Sequence, residues 1–527
     1  METKSSVFQR LDFFFAILVG IWSFALYFRT LAPSVLTSDS AEFQTLFYTL
    51  GMTHPTGYPV HVLIGKLFTL IPIQTIAYRA NLASAFFAAV AVAEIYLIVY
   101  LLGRWRVGAL VGALALAHMP LFWRFAIIAE SYSISSVFSL SILLFILLWR
   151  EQGNWRSLLF AGILGGLSIG VHGATAMAAP AIAIYLLLTA RKRNAWISAI
   201  GGAAMGIFLL IAAFIYIDHR DPPSSIYNAV YRPSLSKWGL TEDQFVTPLE
   251  HLDILFPAES ALNYFFDVPA STITNRFTIY QSSYSSFSKL LILIGFIYIF
   301  FRNNDIKRKL WFEAILVAGI FLPLWLFALT QNSSLYAQFF TLSDPILYIW
   351  LGLGICGLLE LLSWLINYVF SAKKKDYRNL AMILLSFLII IFPFWQSRKA
   401  IFSAWENGYT RDIKNSGVYP IFAPEQKARL ARRIVNKVEE DAIVFTEWDR
   451  LYTFYYVAHI ERGLTRIDFH QAYIGDGTTE VADSLAAYIA GNIDTRPIYT
   501  TIPLLDLIPF YTFEPVSDDL LRLHKRE

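Results

Sequence analysis

The stretch TSDSAEFQTLFYTLGMTHPTGYPVHVLIGKLFTLIP, Thr37 to Pro72, decides how this chain is threaded. It follows the first long apolar segment, and its apolar second half, 57–72, either crosses a membrane or lies along one. At about 16 residues that half falls short of the ~20 a spanning helix needs, and it contains Lys66. Counted as a crossing, it would turn Arg104 and Arg106 outward and invert every later connection. We therefore read it as a helix lying at the membrane interface.

Working outward, apolar runs at 12–31, 81–102, 107–123, 131–149, 157–171, 173–190, 195–217, 289–301, 311–329, 345–368 and 379–395 are candidate spans. Short cytoplasmic connections carry an excess of Lys and Arg. With the N-terminus cytoplasmic, alternate connections do: Arg104 and Arg106; Arg150 and Arg156; Arg191, Lys192 and Arg193; Arg302, Lys307, Arg308 and Lys309; Lys373, Lys374, Lys375 and Arg378. The opposite short connections hold only Arg124. The expected fold class is an α-helical polytopic membrane protein with eleven transmembrane helices. The interfacial helix follows the first external loop, and a small α/β extracytoplasmic domain stands at the C-terminus.

Composition agrees. Of 527 residues, 56% are hydrophobic and 15% charged, against roughly 25% charged in an ordinary soluble domain. A net charge of +3 gives no footing for nucleic acid. A lone cysteine, Cys356, rules out an internal disulfide framework. The polar start, 1–10, and the apolar run behind it lack a small-residue cleavage site, so the run reads as a retained helix.

Two larger pieces fall on the non-cytoplasmic side. Within a transmembrane part spanning 1–395, the 218–288 loop is too long for a plain connection. The tail, 396–527, changes character: a charged helical stretch from Glu425 to Glu440, then the β-like start of DAIVFTEWDRLYTFYYVAH leading into an amphipathic stretch. Strand-like runs follow at 465–469 and 497–502.

The ionisable residues that matter share the external face. They are Asp39, Glu42 and His54 in the first loop, Arg124 and Glu130 in the second, His172 in the third, and Asp218, His219, Arg220 and Asp221 in the fourth. Charged groups at membrane depth are costly and mark functional sites. Asp39 and Glu42, three apart, share a face on a helical turn. One carboxylate there could take a proton from a hydroxyl, and two could hold a divalent cation. The same acids also suit the first turn of a helix capped by Thr37 or Ser38. In HPTGYP the prolines fix φ and Gly57 is free to turn left-handed, a rigid bend able to face His54 and Tyr58 toward the acids. Arg124 either pairs with Glu130 or meets an oxyanion, as a guanidinium suits phosphate. His172 and the Asp-His-Arg-Asp cluster admit structural readings equally. Glu94, His118 and Glu360 lie within spans, where pairing explains them.

No P-loop, HExxH or CxxC signature occurs, and no soluble nucleotide-sugar domain is apparent. An enzyme built this way, facing away from the cytosol, needs a donor delivered within the bilayer.

The block DSAEFQTLFYTLGMTHPTGYPVHVLIGKLF, followed in order by FWRFAIIAESYSISSVF and GLSIGVHGAT, resembles the transmembrane protein 260 family. These are membrane glycosyltransferases of the GT-C superfamily, marked by a D-x-G-E-like motif and then H-P-x-G-Y-P. The resemblance covers roughly 10–230, with Ala41 standing where the family has glycine. It implies a hexosyltransferase that moves a sugar from a polyprenyl-phosphate donor to an acceptor hydroxyl with inversion, in the manner of O-mannosylation. Asp39 would be the catalytic base, Glu42 its partner and His54 their neighbour. Tyr58, Arg124, Glu130, His172, His219 and Arg220 would bind substrate. The resemblance fixes no cofactor, though Mg or Mn on Asp39 and Glu42 fits the chemistry. The expected partners are the lipid-linked donor, a protein or glycan acceptor and the bilayer itself, with no nucleic acid. The expected place is the plasma (inner) membrane of a bacterium. A ligase or polymerase using a diphospholipid-linked glycan, or a lipid or solute transporter, is the alternative.

Overall fold

The computed structural model describes residues 7–256, 268–302, 310–333, 335–369, 375–408, 424–472 and 481–526. Lys307, Arg308, Lys309, Lys373 and Lys374 lie outside these.

The long apolar runs become helices: α1 (Arg10–Arg29), α4 (Ile76–Gly103), α7 (Tyr132–Gln152), α10 (Arg193–Asp218), α14 (Trp311–Thr330), α15 (Asp344–Val369) and α16 (Lys375–Asn407). Between them lie α2 (Ser38–Thr49), α3 (Pro59–Thr69), α5 (Arg106–Ala117), α6 (Pro120–Ala126), α8 (Trp155–Ser168), α9 (Ala179–Thr189), α11 (Pro248–Leu255), α12 (Ala270–Ser282) and α13 (Ser286–Phe301).

The span count needs correction. Among the described residues, seven helices are long and apolar enough to cross, or nine if two bent pairs each cross once: α5 with α6, at 65°, and α12 with α13, at 100°. The expected spans at 157–171 and 173–190 fall short. A turn at 169–172 separates a 14-residue helix, only about 21 Å long, from a 3-10 turn and the 11-residue α9. The hydrocarbon core is about 30 Å thick. Helix α3, at 11 residues, is likewise too short to cross, in keeping with a helix along the interface.

Close packing of small residues joins the helices. Gly162 and Gly166 of α8 meet Gly202 and Gly206 of α10 so tightly that an added Cβ on Gly166 would lie 2.5 Å from the Ile207 nitrogen. Such stripes let backbones approach where lipid offers no hydrophobic drive.

The two ends of the bundle differ chemically. At one end, cationic turns are paired: Arg106 with Asp12 at 2.7 Å, Arg104 with Glu151, Arg150 with Glu313 and Arg302 with Glu360. The end of α1, the start of α4 and the end of α8 lie at the other, where the acids of the first loop gather.

Above that end sits the C-terminal α/β unit. It comprises α17 (Pro424–Val435), β1 (Ile443–Thr446), α18 (Trp448–Tyr455), β2 (Asp468–Gln471), α19 (Asp483–Asn492), β3 (Ile498–Thr500), β4 (Tyr511–Ser517) and β5 (Leu520–Lys525). The sheet order is β2-β1-β3-β5-β4, with the first three strands parallel. The closing β4–β5 hairpin is antiparallel.

Candidate active site

Asp39 and Glu42 lie on α2 as their spacing requires, but the helix is not merely capped by its neighbours. Thr37 makes no side-chain cap, and the Ser38 hydroxyl donates instead to Asp449 of the C-terminal unit at 2.8 Å. Ser38 has φ +53° and Tyr58 φ +47°. Left-handed non-glycine residues cluster where function over-determines the backbone, and these two bracket the acids and the histidine. Gly57, at φ +80°, supplies the turn expected of it. Ala41 is buried within regular α2, so glycine is not needed there.

Glu42 is fully buried, and His54 engages both of its oxygens. The His54 backbone N–H donates to Oε1 at 2.7 Å, and the ring Nδ1 to Oε2 at 2.5 Å. Burial disfavours charge on His54, but the Glu42 and Asp39 carboxylates outweigh it and push the imidazole up to about 9. We read the pair as imidazolium and carboxylate, a buried ion pair with its proton on the ring.

Tyr58 packs beside this pair, tilted against His54 at 5.1 Å and edge-on to His172 at 5.7 Å by ring centroids. His172 is buried, its Nδ1 accepting from the Ala174 N–H at 3.2 Å. Burial, with His54 adding, holds it down at about 4, so it is a neutral ring with its proton on Nε2.

Glu130 does not pair with Arg124 among the described residues. Its Oε1 accepts from the Ser40 hydroxyl at 2.9 Å. Burial first, and then Asp39, push Glu130 up to about 8, so this carboxyl is mostly protonated at neutral pH. A buried amide relay positions it. Asn81 Oδ1 accepts from Gln44 Nε2 and the Ala129 N–H, both at 2.8 Å, and Asn81 Nδ2 donates to Ala32 O. Helices α2 and α4 and the 127–131 segment are thus fixed to one another.

Asp39, Glu42, His54, Tyr58, Glu130 and His172 therefore converge. Arg124 stands at the edge, exposed over the Phe125 ring. It lines a separate cavity of about 850 Å³, walled mostly by apolar side chains of α5, α13, α15 and α16. His219 and Arg220 are exposed at the end of α10, with Arg220 electrostatically close to Lys66. No contact among the described residues brings them to the acids. Asp218 pairs with His251 and Asp221 with Arg232.

A divalent cation does not fit this arrangement. Both Glu42 oxygens are occupied by His54, and no group of three or more His, Cys, Asp or Glu suited to a metal exists among the described residues.

Three contributors escape a local reading of the sequence. His61, seven residues past His54, is buried between Phe43 and Phe47 with both ring nitrogens unpartnered. Ser40 holds Glu130. Trp448, at the start of α18, donates its indole N–H to Asp39 Oδ1 at 3.2 Å and lies edge-on to His54. Only the proximity of His61 to HPTGYP offered a sequence signal.

Comparison with known proteins gives the same picture. Residues 39–196 match the family described as the protein O-mannosyl-transferase TMEM260 N-terminal domain, the span that carries every converging residue named from the sequence. The chain is 35% identical over 115 residues to protein O-mannosyl-transferase TMEM260 of Mus musculus, covering 22% of this chain and 16% of that protein. It is 30% identical over 139 residues to the Dictyostelium discoideum protein of that name, covering 26% and 17%. The match thus spans under a fifth of these relatives' length. Among solved structures, ArnT from Cupriavidus metallidurans bound to undecaprenyl phosphate superposes with a TM-score of 0.56 at 12% identity, covering 96% of this chain and 97% of that one. The Archaeoglobus fulgidus oligosaccharyltransferase tethered to an acceptor peptide gives 0.56 at 12%, covering 99% and 75%. The chain shares the overall fold of these two solved structures, as a helical multi-pass membrane protein with a small C-terminal sheet unit.

Proposed function

We propose that the chain is a membrane glycosyltransferase that moves a sugar from a polyprenyl-phosphate donor to an acceptor hydroxyl on the non-cytoplasmic side, with inversion. The observation that carries this reading is the convergence of Asp39, Glu42, His54, Tyr58, Glu130 and His172 at the end of the bundle opposite the paired cations. The likeness of 39–196 to an O-mannosyl-transferase domain supports the same chemistry.

The roles divide by environment. Asp39 is half-buried and is the general base. It takes the acceptor proton as the hydroxyl attacks the anomeric carbon from the face opposite the phosphate. A positioned base contributes about 10²–10⁴ in rate. Glu42, with both oxygens on His54, holds the HPTGYP turn in place instead of moving a proton. His172, a neutral ring, offers one hydrogen bond and no charge. Arg124 meets the leaving phosphate and offsets its developing charge, while the apolar cavity it borders takes the lipid chain. Arg124 leads directly into the 127–131 segment that carries Glu130, which ties the lipid end of the site to the acid end.

The test is transfer of labelled sugar from polyprenyl-phosphate donors in membranes carrying wild-type or Asp39→Asn protein. Transfer by wild type and near-silence of the variant is the expected result. Absence of transfer from every such donor would overturn the proposal.

A further inference from the structure

The sequence relationships end at residue 196 in the family match, yet one wall of the acid site comes from far beyond it. Helix α18 begins where β1 ends, and its first residue, Trp448, donates to Asp39. In open α/β sheets, ligands bind beyond the carboxyl ends of parallel strands, and here that edge of the sheet points at α2.

We infer that Trp448 is a positioning residue for Asp39, so that the C-terminal unit supplies part of the active site itself. This rests on the reading of Asp39 as the base.

Indole is a donor only. With its N–H on Oδ1, it fixes the plane of the carboxylate and leaves Oδ2 to receive the acceptor proton. The ring also stands edge-on to His54 at 6.0 Å and to Tyr452 at 5.4 Å.

Helix α18 is pinned at several points, so the indole has little room to drift. Asp449 accepts from Ser38 at 2.8 Å and pairs with Lys427. The Tyr452 carbonyl accepts from the Thr45 hydroxyl at 3.1 Å. The Thr453 hydroxyl donates to Leu36 O at 2.6 Å, and the Tyr455 hydroxyl to Pro223 O at 2.8 Å. Just beyond the helix, the Tyr456 hydroxyl accepts from the Ala77 N–H. Contacts so numerous to α2, to the start of α4 and to the fourth external loop make α18 a fixed wall.

The experiment compares wild type, Trp448→Phe and a surface control, Arg432→Ala, whose guanidinium pairs with Glu461 away from the acids. In Trp448→Phe, kcat falls about tenfold, the loss expected for one hydrogen bond to a charged acceptor. The KM for donor stays within about twofold. Arg432→Ala keeps wild-type kinetics.

A second arm holds the helix in place by cross-linking Ser38→Cys to Asp449→Cys with a short bifunctional thiol reagent. The cross-link forms, and Trp448→Phe in that background stays slow. If the cross-link restores the wild-type rate, Trp448 acts only by docking the helix and the inference falls. It falls equally if Trp448→Phe keeps the wild-type kcat or loses through KM instead, or if the cross-link fails to form. Wild type inert with every polyprenyl-phosphate donor sinks the transfer reading, and the positioning role with it. Active wild type beside an unaltered Trp448→Phe sinks the positioning role alone.

Discussion

Glu42 is clasped by a residue twelve positions away, His54, which reaches one carboxylate oxygen with its backbone and the other with its ring. That clasp closes the loop between α2 and α3 into a fixed bend. It also separates the two neighbouring acids, leaving Asp39 at the edge of the site while Glu42 is consumed in holding it.

Asp39→Asn keeps the carboxylate's shape and its contact with Trp448 but cannot accept a proton. We expect sugar transfer to fall by about 10²–10⁴ with the thermal midpoint of the detergent-solubilised protein within a degree or two of wild type. A large drop in that midpoint would make the loss one of folding.

Glu42→Gln has the opposite signature. It leaves His54 with an impaired partner in a buried setting, which costs about 1–3 kcal/mol. Thermal unfolding should show the loss plainly. Activity should fall with stability and recover in part at lower temperature.

The pH dependence of stability follows from groups raised in the folded state. His54 is held up to about 9 and Glu130 up to about 8. A group raised on folding contributes stability that is fully present below its unfolded value and is lost as pH climbs through its folded one. Both therefore favour the fold at lower pH, Glu130 losing its part up to about 8 and His54 from about 6.5 to 9. Thermal midpoints measured between pH 6 and 9.5 should decline, and His54→Asn should flatten the upper part of that decline.

Arg124→Gln removes a cation that is exposed and borders the apolar cavity. Its KM for a polyprenyl-phosphate donor should rise about tenfold, the scale of one charge-assisted hydrogen bond, with no change in thermal midpoint. An unchanged KM would place the phosphate elsewhere.

Gly206→Val tests the seam between α8 and α10. A Cβ there would lie 3.0 Å from Gly166 Cα and closer still to the Ile163 carbonyl. Helix backbones cannot yield as side-chain tips do, so the variant should lose several degrees of thermal midpoint. Glycine 201, with open space around it, should accept alanine without cost.

The sequence made the first loop legible because its chemistry is local. Asp39, Glu42, His54 and Tyr58 fall within twenty residues, and turn residues fix their relative placement. The alternation of cationic turns argued against a crossing at 57–72, and the 11-residue α3 there is indeed too short for one. Span length was less legible, since 157–190 reads as two apolar runs while the turn at His172 cuts both short. The partner of Glu130 was also missed: Arg124 is near in sequence, but Ser40 is near in space. Trp448 left no trace, because nothing in a strand-to-helix junction announces which distant carboxylate it will meet. The β4–β5 hairpin was missed too, since β4 lies at the sheet edge and both strands alternate weakly between buried and exposed positions.

The bond between Asp39 and Trp448 joins residues 409 positions apart. Contacts so remote form late, after the intervening chain has been made and ordered. A ribosome therefore releases the acid of the first loop long before its indole exists. Through most of its own synthesis the nascent chain therefore stands with this pair still unformed.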